Sequence, residues 1–305
     1  MRILGIVVGV LLVMAVLVIL ISIYENRHFK VVEYRIRAPH MFDKPEGLKL
    51  AVISDLHDQQ YGARNQKLLA AIHDQHPDMI LAAGDLTVGR PHADNTVALQ
   101  LVTDLQAEYP VYLAMGNHEY RMKIYPEKYG SMWKDYESAT KASGAKWLDN
   151  ESVYITWDAK QGLQCRDTSY DESEGQIVFT GFSMDACYYK RFRQTPMPSG
   201  YVQSCCGEKP AQSYQILLAH NPDYFENYVQ YGADLVISGH VHGGMIRIPG
   251  IGGFISPMFR LFPKYDKGIY EMNHTKMLVS AGLGNHTFKF RVNNRPELIM
   301  LTITK

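Results

Sequence analysis

The sequence predicts an α/β layered domain carried behind one N-terminal transmembrane helix. Three observations lead there. The run from Ile3 to Tyr24 contains no charged residue. Five short apolar runs recur downstream, and each stops at a polar residue. Helical patterns separate the first three of those runs, and strand–helix–strand alternation is the pattern of an α/β fold.

The N-terminal run reaches about 33 Å as a helix at about 1.5 Å per residue, enough for a hydrocarbon core of about 30 Å. A cleaved signal peptide has a shorter apolar region, about 7–15 residues, ending at small residues. No A-x-A stands before Glu25, so residues 1–24 read as a retained, single-pass membrane anchor. Arg2 lies on one side of it, and Arg27, Lys30, Arg35 and Arg37 on the other. A count of basic residues favours a cytoplasmic domain, whereas long domains translocate largely regardless of charge; our expectation is an extracytoplasmic domain. Residues 25–46 read as a connector containing a strand, "FKVVEYRI", and residues 47–305 as the folded domain.

Within that domain "LKLAVIS" runs into Asp55, "DMILAAG" into Asp85, "VYLAMG" into Asn117, "QILLA" into His220 and "DLVISG" into His240. Short apolar runs bounded by turn residues are strands buried on both faces. Helical patterns cover 64–76 and 94–108, and Asn221–Pro222 supplies an N-cap and an N1 proline for another helix. Ligands of such folds gather at the carboxyl ends of strands, so five strand ends are expected to face one cleft. The stretch 119–210 is less periodic, with a helix ended by Gly144 and loops over 158–176 and 193–210. After Gly244, "MIRIPG", "MLVSAGLG" and "ELIMLTIT" read as strands closing a second sheet.

Composition removes some functions. Lysine plus arginine equals aspartate plus glutamate at 31 each, so no broad basic field invites a nucleic-acid partner, and none is expected. The four cysteines, Cys165, Cys187, Cys205 and Cys206, contain no C-x-x-C, which argues against a thiolate zinc site. They fit either disulfides in an oxidising compartment or free thiols in a reducing one.

The strand-end residues form a donor set. Asp55 and His57 lie in "SDLHD", Asp85 in "AAGDLT", Asn117 and His118 in "MGNHEY", His220 in "LAHNP", and His240 and His242 in "SGHVHGG". Imidazole, carboxylate and amide donors without sulfur suit divalent Mn, Fe, Zn or Co. In D-x-H and H-x-H, side chains two apart leave an extended chain on the same side. One carboxylate can bridge two cations, and two cations about 3.5–4 Å apart can clamp both oxygens of an in-line displacement at phosphorus. The glycines at 84, 116, 239, 243 and 244 permit sharp turns and close backbone approach.

This ordered set of D-x-H, G-D, G-N-H-E, H and G-H-x-H-G-G resembles the calcineurin-like metallophosphoesterase superfamily, and the tail resembles its membrane-associated bacterial branch of YkuE- and YaeI-like phosphoesterases. The resemblance implies a four-layer αββα sandwich of two sheets flanked by helices. It implies a hydrolase, a phosphodiesterase among its possible activities, in which a hydroxide held between two divalent ions attacks phosphorus. It assigns Asp55, His57 and His242 to one metal and Asn117, His220 and His240 to the other, with Asp85 as the bridge. His118 would bind no metal and would stabilise the oxyanion or protonate the leaving group. Met245 departs from the pattern, where this branch often has glutamine.

Further expectations are weaker in pattern. Asp58 could orient a ligand or water, Asn285 and Arg291 could touch phosphate, and segment 249–265 could dip into a membrane interface, line an acyl pocket or simply pack as a covered loop. The anchor points to a phosphoester substrate that is a phospholipid, lipid-linked or part of the cell envelope. The alternatives are a nuclease or cyclic-nucleotide phosphodiesterase with the same centre, or a non-catalytic scaffold. The complete donor set speaks against the last.

Overall fold

The computed structural model describes residues 2–39, 41–168, 175–285 and 289–305. Helix α1 (Arg2–Arg27) comes first. Its apolar side chains are exposed along its length, and its mean hydropathy marks it as long and apolar enough to cross a membrane. Two twisted sheets follow. The first orders its strands as β1 (Lys30–Arg37), β15 (Glu297–Thr304), β2 (Leu48–Ile53), β3 (Met79–Ala83), β4 (Val111–Ala114) and β5 (Lys146–Trp147). The second runs β13 (Gly268–Met272), β14 (Thr275–Val279), β10 (Leu235–Ser238), β9 (Ser213–Ala219), β8 (Gln176–Phe182), β6 (Ser152–Asp158) and β7 (Gly162–Arg166).

Alternation along the strands builds the layers. Leu48, Leu50 and Val52 of β2 face Phe179, Ile216, Leu218 and Ile237 of the second sheet, forming the central core. Ala51 and Ile53 point the other way, onto α2 (Gln66–His73), α3 (Thr96–Gln106) and α6 (Met132–Ala142) through Leu68, Ile72, Leu101 and Trp133. The outer face of the second sheet is covered by α7 (Tyr201–Cys206) and α8 (Phe225–Tyr231), where Val236 and Val279 meet Val202, Phe225 and Tyr228. Helices, sheet, sheet and helices thus stack as the αββα sandwich. The short α4 (Asn117–Ile124) and α5 (Pro126–Tyr129) lie beyond the end of β4.

Four differences from the sequence reading have physical reasons. β15 joins the first sheet, between β1 and β2, and does not close the second. Both of its faces are apolar, Ile299, Leu301 and Ile303 toward the central core and Leu298 and Met300 toward the helices, so its pattern cannot say which sheet it enters. β1 pairs with β15 along its whole length, so the sheet begins inside the stretch 25–46. The stretch 158–176 carries β7, an edge strand with mixed polarity, and 193–210 carries the short α7 between Gly200 and Gly207; residues 169–174 lie outside the described residues. "MIRIPG" contributes β11 (Ile246–Ile248), which pairs with β12 (Gly252–Ile255) in a separate two-stranded ribbon and makes a single bridge to Val292.

Candidate metal centre

All eight strand-end residues singled out by sequence converge at the carboxyl edges of the two sheets. Asp55 and His57 follow β2, Asp85 follows β3, and Asn117 and His118 open α4 just after β4. His220 follows β9, and His240 and His242 follow β10. All are buried. Donor atoms of Asp55, His57 and His242 lie within 4.8 Å of one another, as do those of Asp85, His220 and His240, and those of His57, Asp85 and His118.

Backbone strain produces this convergence. Asp55, His57, Asp85, His240 and His242 adopt φ of 49°, 47°, 55°, 70° and 52°. The left-handed region costs an ordinary L-residue about 1–3 kcal/mol, and such strain clusters at functional sites. β2, β3 and β10 therefore end in sharp reversals that turn their donors inward.

The hydrogen bonds of the rings separate ligand-type histidines from a proton donor. His242 Nδ1 lies 2.9 Å from Gly284 O, His220 Nδ1 2.7 Å from Ala83 O, and His57 Nδ1 3.3 Å from Thr87 O. A carbonyl accepts, so these Nδ1 atoms carry hydrogen and each ring turns Nε2 to the site, as the atom a metal ion would bind once any proton there is displaced. The Nε2 atoms of His57 and His242 sit 3.2 Å apart, and His220 Nε2 is 3.1 Å from Asp85 Oδ2. Ring nitrogens and carboxylate oxygens facing one another at this range fit a shared proton or cation. His118 is the opposite tautomer: Gly89 N–H donates to its Nδ1 at 2.7 Å, which leaves the proton on Nε2. Its Nε2 lies 3.9 Å from Asp85 Oδ2, so it faces the same centre as a donor.

Asn117 fits this set. With its oxygen inward it faces Asp85 Oδ2 at 3.3 Å and His240 Nδ1 at 2.8 Å, acceptors that a cation would join; with the amide turned, its oxygen accepts from Arg121 Nη2 at 2.7 Å. Charge is distributed unevenly. Burial pushes Asp55 up to about 6; His220 opposes this and the Asp85 charge adds to it. Asp85 is held well below the usual carboxylate range, because His118, His220 and His57 overcome the opposing effect of burial. Burial would lower His220, yet Asp85 and Asp55 raise it to about 10. The donor chemistry and these contacts fit divalent ions.

One residue escaped the sequence reading. Glu119 is buried, and its carboxylate accepts from Asp85 N at 2.9 Å, Gly116 N at 3.1 Å and Thr87 N at 3.0 Å. It ties the turn of Asp85 to the turn of Asn117. The available signal was its position as the third residue of α4, where glutamate reaches back to cap a helix.

The remaining expectations resolve differently. Asp58 accepts from Val88 N and Ala98 N, and so holds the 86–98 loop. Arg291 is fully buried, its guanidinium donating to Ala281 O at 2.8 Å and Gly284 O at 3.0 Å, so a phosphate role is overturned by its enclosure. The Asn285 amide meets Asn26 of α1 at 2.7 Å. Met245 acts through its backbone, donating to Ile255 O and accepting from Val292 N. All four cysteines are free thiols. Beside Asn117 a cavity of 270 Å³ opens between Tyr120, Arg121, Tyr125, Lys128 and Tyr189.

The profile of the family described as Calcineurin-like phosphoesterase matches residues 48–244. The chain is 26% identical over 269 residues to the uncharacterized metallophosphoesterase YkuE of Bacillus subtilis strain 168, covering 87% of this chain and 81% of that one. It is 24% identical to phosphodiesterase YaeI of Escherichia coli K12, covering 86% of this chain and 84% of the relative. It is 22% identical to the UDP-2,3-diacylglucosamine pyrophosphatase LpxG of Chlamydia muridarum, over 87% and 86%. The chain belongs to the calcineurin-like phosphoesterase family, and is a phosphoester hydrolase by that membership.

Proposed function

We propose that this calcineurin-like phosphoesterase is a membrane-anchored, dinuclear metal-dependent hydrolase of lipid-linked phosphodiesters or diphosphates. Asp55, His57 and His242 would hold one divalent ion, Asn117, His220 and His240 the other, and Asp85 would lie between them. Bound ions would supply Lewis acidity toward phosphoryl oxygens and acidify water at neutral pH. The protein's own groups divide the remaining work. His118 presents Nε2–H and donates it toward the oxyanion or the leaving oxygen. Arg121 and Lys128 of the adjoining cavity offer charge to a second anionic group, and the tyrosines offer flat walls to a sugar or base.

The observation that carries the substrate class is α1, a helix of 26 residues with exposed apolar flanks whose last turn is packed on the domain. A second apolar surface supports it. Phe192, Ile251, Phe259, Leu261 and Phe262 are exposed; Phe192 stacks on Phe259 at 6.2 Å, and Arg191 lies 5.9 Å from the centre of the Phe259 ring. Aromatic and basic side chains together suit a lipid interface. LpxG, a relative, is named for a diacylated sugar nucleotide diphosphate. The extracytoplasmic placement draws no support from the cysteines, which are unpaired; protease accessibility in sealed vesicles reads the side directly.

The test is turnover by the full chain with Mn²⁺ in mixed micelles, comparing diacyl phosphodiesters and lipid diphosphates with soluble chromogenic esters. Preference for the lipid substrates, diluted away by excess detergent, is the expected result. Turnover of soluble cyclic or oligonucleotide substrates alone would refute the reading.

A further inference from the structure

The last turn of α1 is not a passive stalk. Ser22 and Glu25 are buried, on a helix whose preceding turns are exposed. Ser22 Oγ accepts from Arg291 N at 3.0 Å, Glu25 Oε2 accepts from Asn294 N at 2.8 Å, and Asn26 Nδ2 donates to Lys289 O at 3.1 Å. The Asn26 amide also meets that of Asn285. These partners, Asn285, Lys289, Arg291 and Asn294, all fall between β14 and β15 in sequence.

The same segment grips the metal centre. Asn294 Nδ2 donates to His242 O at 2.7 Å and to Gly244 O. Gly284 O accepts from His242 Nδ1 and from Arg291 Nη2, while Gly284 N donates to Asp55 O at 2.6 Å and Leu283 N to Ser54 O at 3.0 Å. Asp55 and His242 are therefore held from behind by a loop that is itself held by the anchor.

We propose that Glu25 of α1 is a positioning residue of the metal centre: through Asn294, and through Arg291 and Gly284, which are hydrogen-bonded to one another, it sets His242 and Asp55, so the membrane helix and the site form one hydrogen-bonded unit. This rests on the reading of Asp55, His57 and His242 as ligands of one ion. Its consequence is spatial. The site lies a few hydrogen bonds from the point where the helix leaves the domain, which keeps it beside the surface into which the helix inserts. The group of Asp85, His220 and His240 is reached from α1 one step later, through the bond from His240 N to Asp55 Oδ1, and serves as the less affected internal reference.

The experiment titrates Mn²⁺ into full-length protein in nanodiscs, by calorimetry and by paramagnetic resonance of the bound ion. Wild type is compared with Glu25→Ala and Glu25→Gln. Glutamine retains an oxygen that accepts from Asn294 N; alanine does not. Losing a direct hydrogen-bond partner of a metal ligand weakens binding about 10–100-fold, and Glu25 acts one bond further out, so its effect falls at the low end of that range. The expected result is two binding steps, one of them weakened about 10-fold in Glu25→Ala, restored in Glu25→Gln, with the other step less affected. Two wild-type steps in Glu25→Ala would overturn the proposal while leaving the metal centre intact, as would equal weakening of both steps. Absence of Mn²⁺ binding in the wild type would overturn the ligand reading beneath it. If Glu25→Ala fails to fold, Asn26→Ala, which removes a more exposed contact to the same loop, carries the same expectation at smaller amplitude.

Discussion

Gly84 offers a perturbation whose size can be worked from the structure. It stands between β3 and Asp85 with φ +92°, and a Cβ placed there would meet Gly116 N at 2.6 Å, Gly116 Cα at 2.7 Å and His220 Nδ1 at 2.8 Å. Relaxed carbon contacts lie near 3.5–4.0 Å, so Gly84→Ala forces a separation of about 0.8 Å between backbone segments or from the His220 ring. Ligand distances tolerate about 0.2 Å, so Asn117 and His220 leave their shared position. Strain at positive φ adds about 1–3 kcal/mol and overpacking about 1–3 kcal/mol, giving about 4 kcal/mol of destabilisation. At about 2–4 °C per kcal/mol for a domain this size, the melting temperature falls about 8–16 °C. Gly130→Ala is the control, because φ is +60° there but nothing lies within 4 Å of the new methyl; it carries strain without overlap and leaves the metals alone. Urea unfolding and Mn²⁺ titration measure both effects. A Gly84→Ala protein that binds Mn²⁺ as tightly as wild type and is no less stable than Gly130→Ala would refute the reasoning.

Other outcomes follow from the same geometry. His118→Ala keeps the bound metals and loses about 10²–10⁴ in kcat, since its Nε2–H is a donor and not a ligand; an emptied site on metal analysis would reverse its role. His220 is raised to about 10 by Asp85 and Asp55 against the effect of burial. Its contribution to the metal-free fold is therefore fully present below its unfolded value near 6.5 and lost as pH rises through about 10. The same raised value means that Mn²⁺ binding at pH 7.5 releases a proton from His220, seen as a calorimetric heat that differs between HEPES and Tris; equal heats would exclude it. Phe259→Trp, on the exposed apolar surface, is quenched by brominated lipid in nanodiscs if that surface enters the interface and is unaffected if it stays in water.

Much of the site was legible because burial on both faces makes a strand a short apolar run, and a polar residue ending five such runs in one domain is conspicuous. Asp55, Asp85, Asn117, His220 and His240 stand where that rule places them. What the rule cannot show is how the chain turns. Positive φ at Asp55, His57 and Asp85 occurs on residues without the glycine signature, so the inward reversal is a property of the assembled edge. Glu119 was overlooked because it binds only backbone N–H groups and the Thr87 hydroxyl, and would touch no ion. An arginine suits phosphate by its chemistry alone, and sequence does not show that the partners of Arg291 are the backbone carbonyls of Ala281 and Gly284. The docking of α1 joins residues 269 apart in sequence, beyond any local pattern. The sheet membership of β15 was hidden likewise, since two apolar faces suit either sheet.

The division of ligands between the sheets predicts what metal removal does. Asp55, His57, Asp85 and Asn117 extend from the first sheet; His220, His240 and His242 extend from the second. The contacts across the edge are His57 Nε2 to His242 Nε2 at 3.2 Å, Asp85 Oδ2 to His220 Nε2 at 3.1 Å and Asp55 Oδ1 to His240 N at 2.9 Å. The last is a backbone N–H donating to a carboxylate, and His220 Nδ1 adds an ordinary bond to Ala83 O at 2.7 Å; the other two are attractive when a cation or a proton lies between the facing atoms. Divalent ions would therefore act as cross-links between sheets whose shared core lies below them. An ion present at 100 times its dissociation constant stabilises the fold by about 2.7 kcal/mol, or about 5–11 °C at this size. EDTA is expected to lower the melting temperature by that amount and to raise hydrogen exchange at His57 and His240. Amides of Leu50 and Ile216, in the central core, should hold their protection. If chelation empties the site by elemental analysis and leaves melting and exchange unchanged, the ions do not join the sheets, and the strained edge is stabilised by the protein alone.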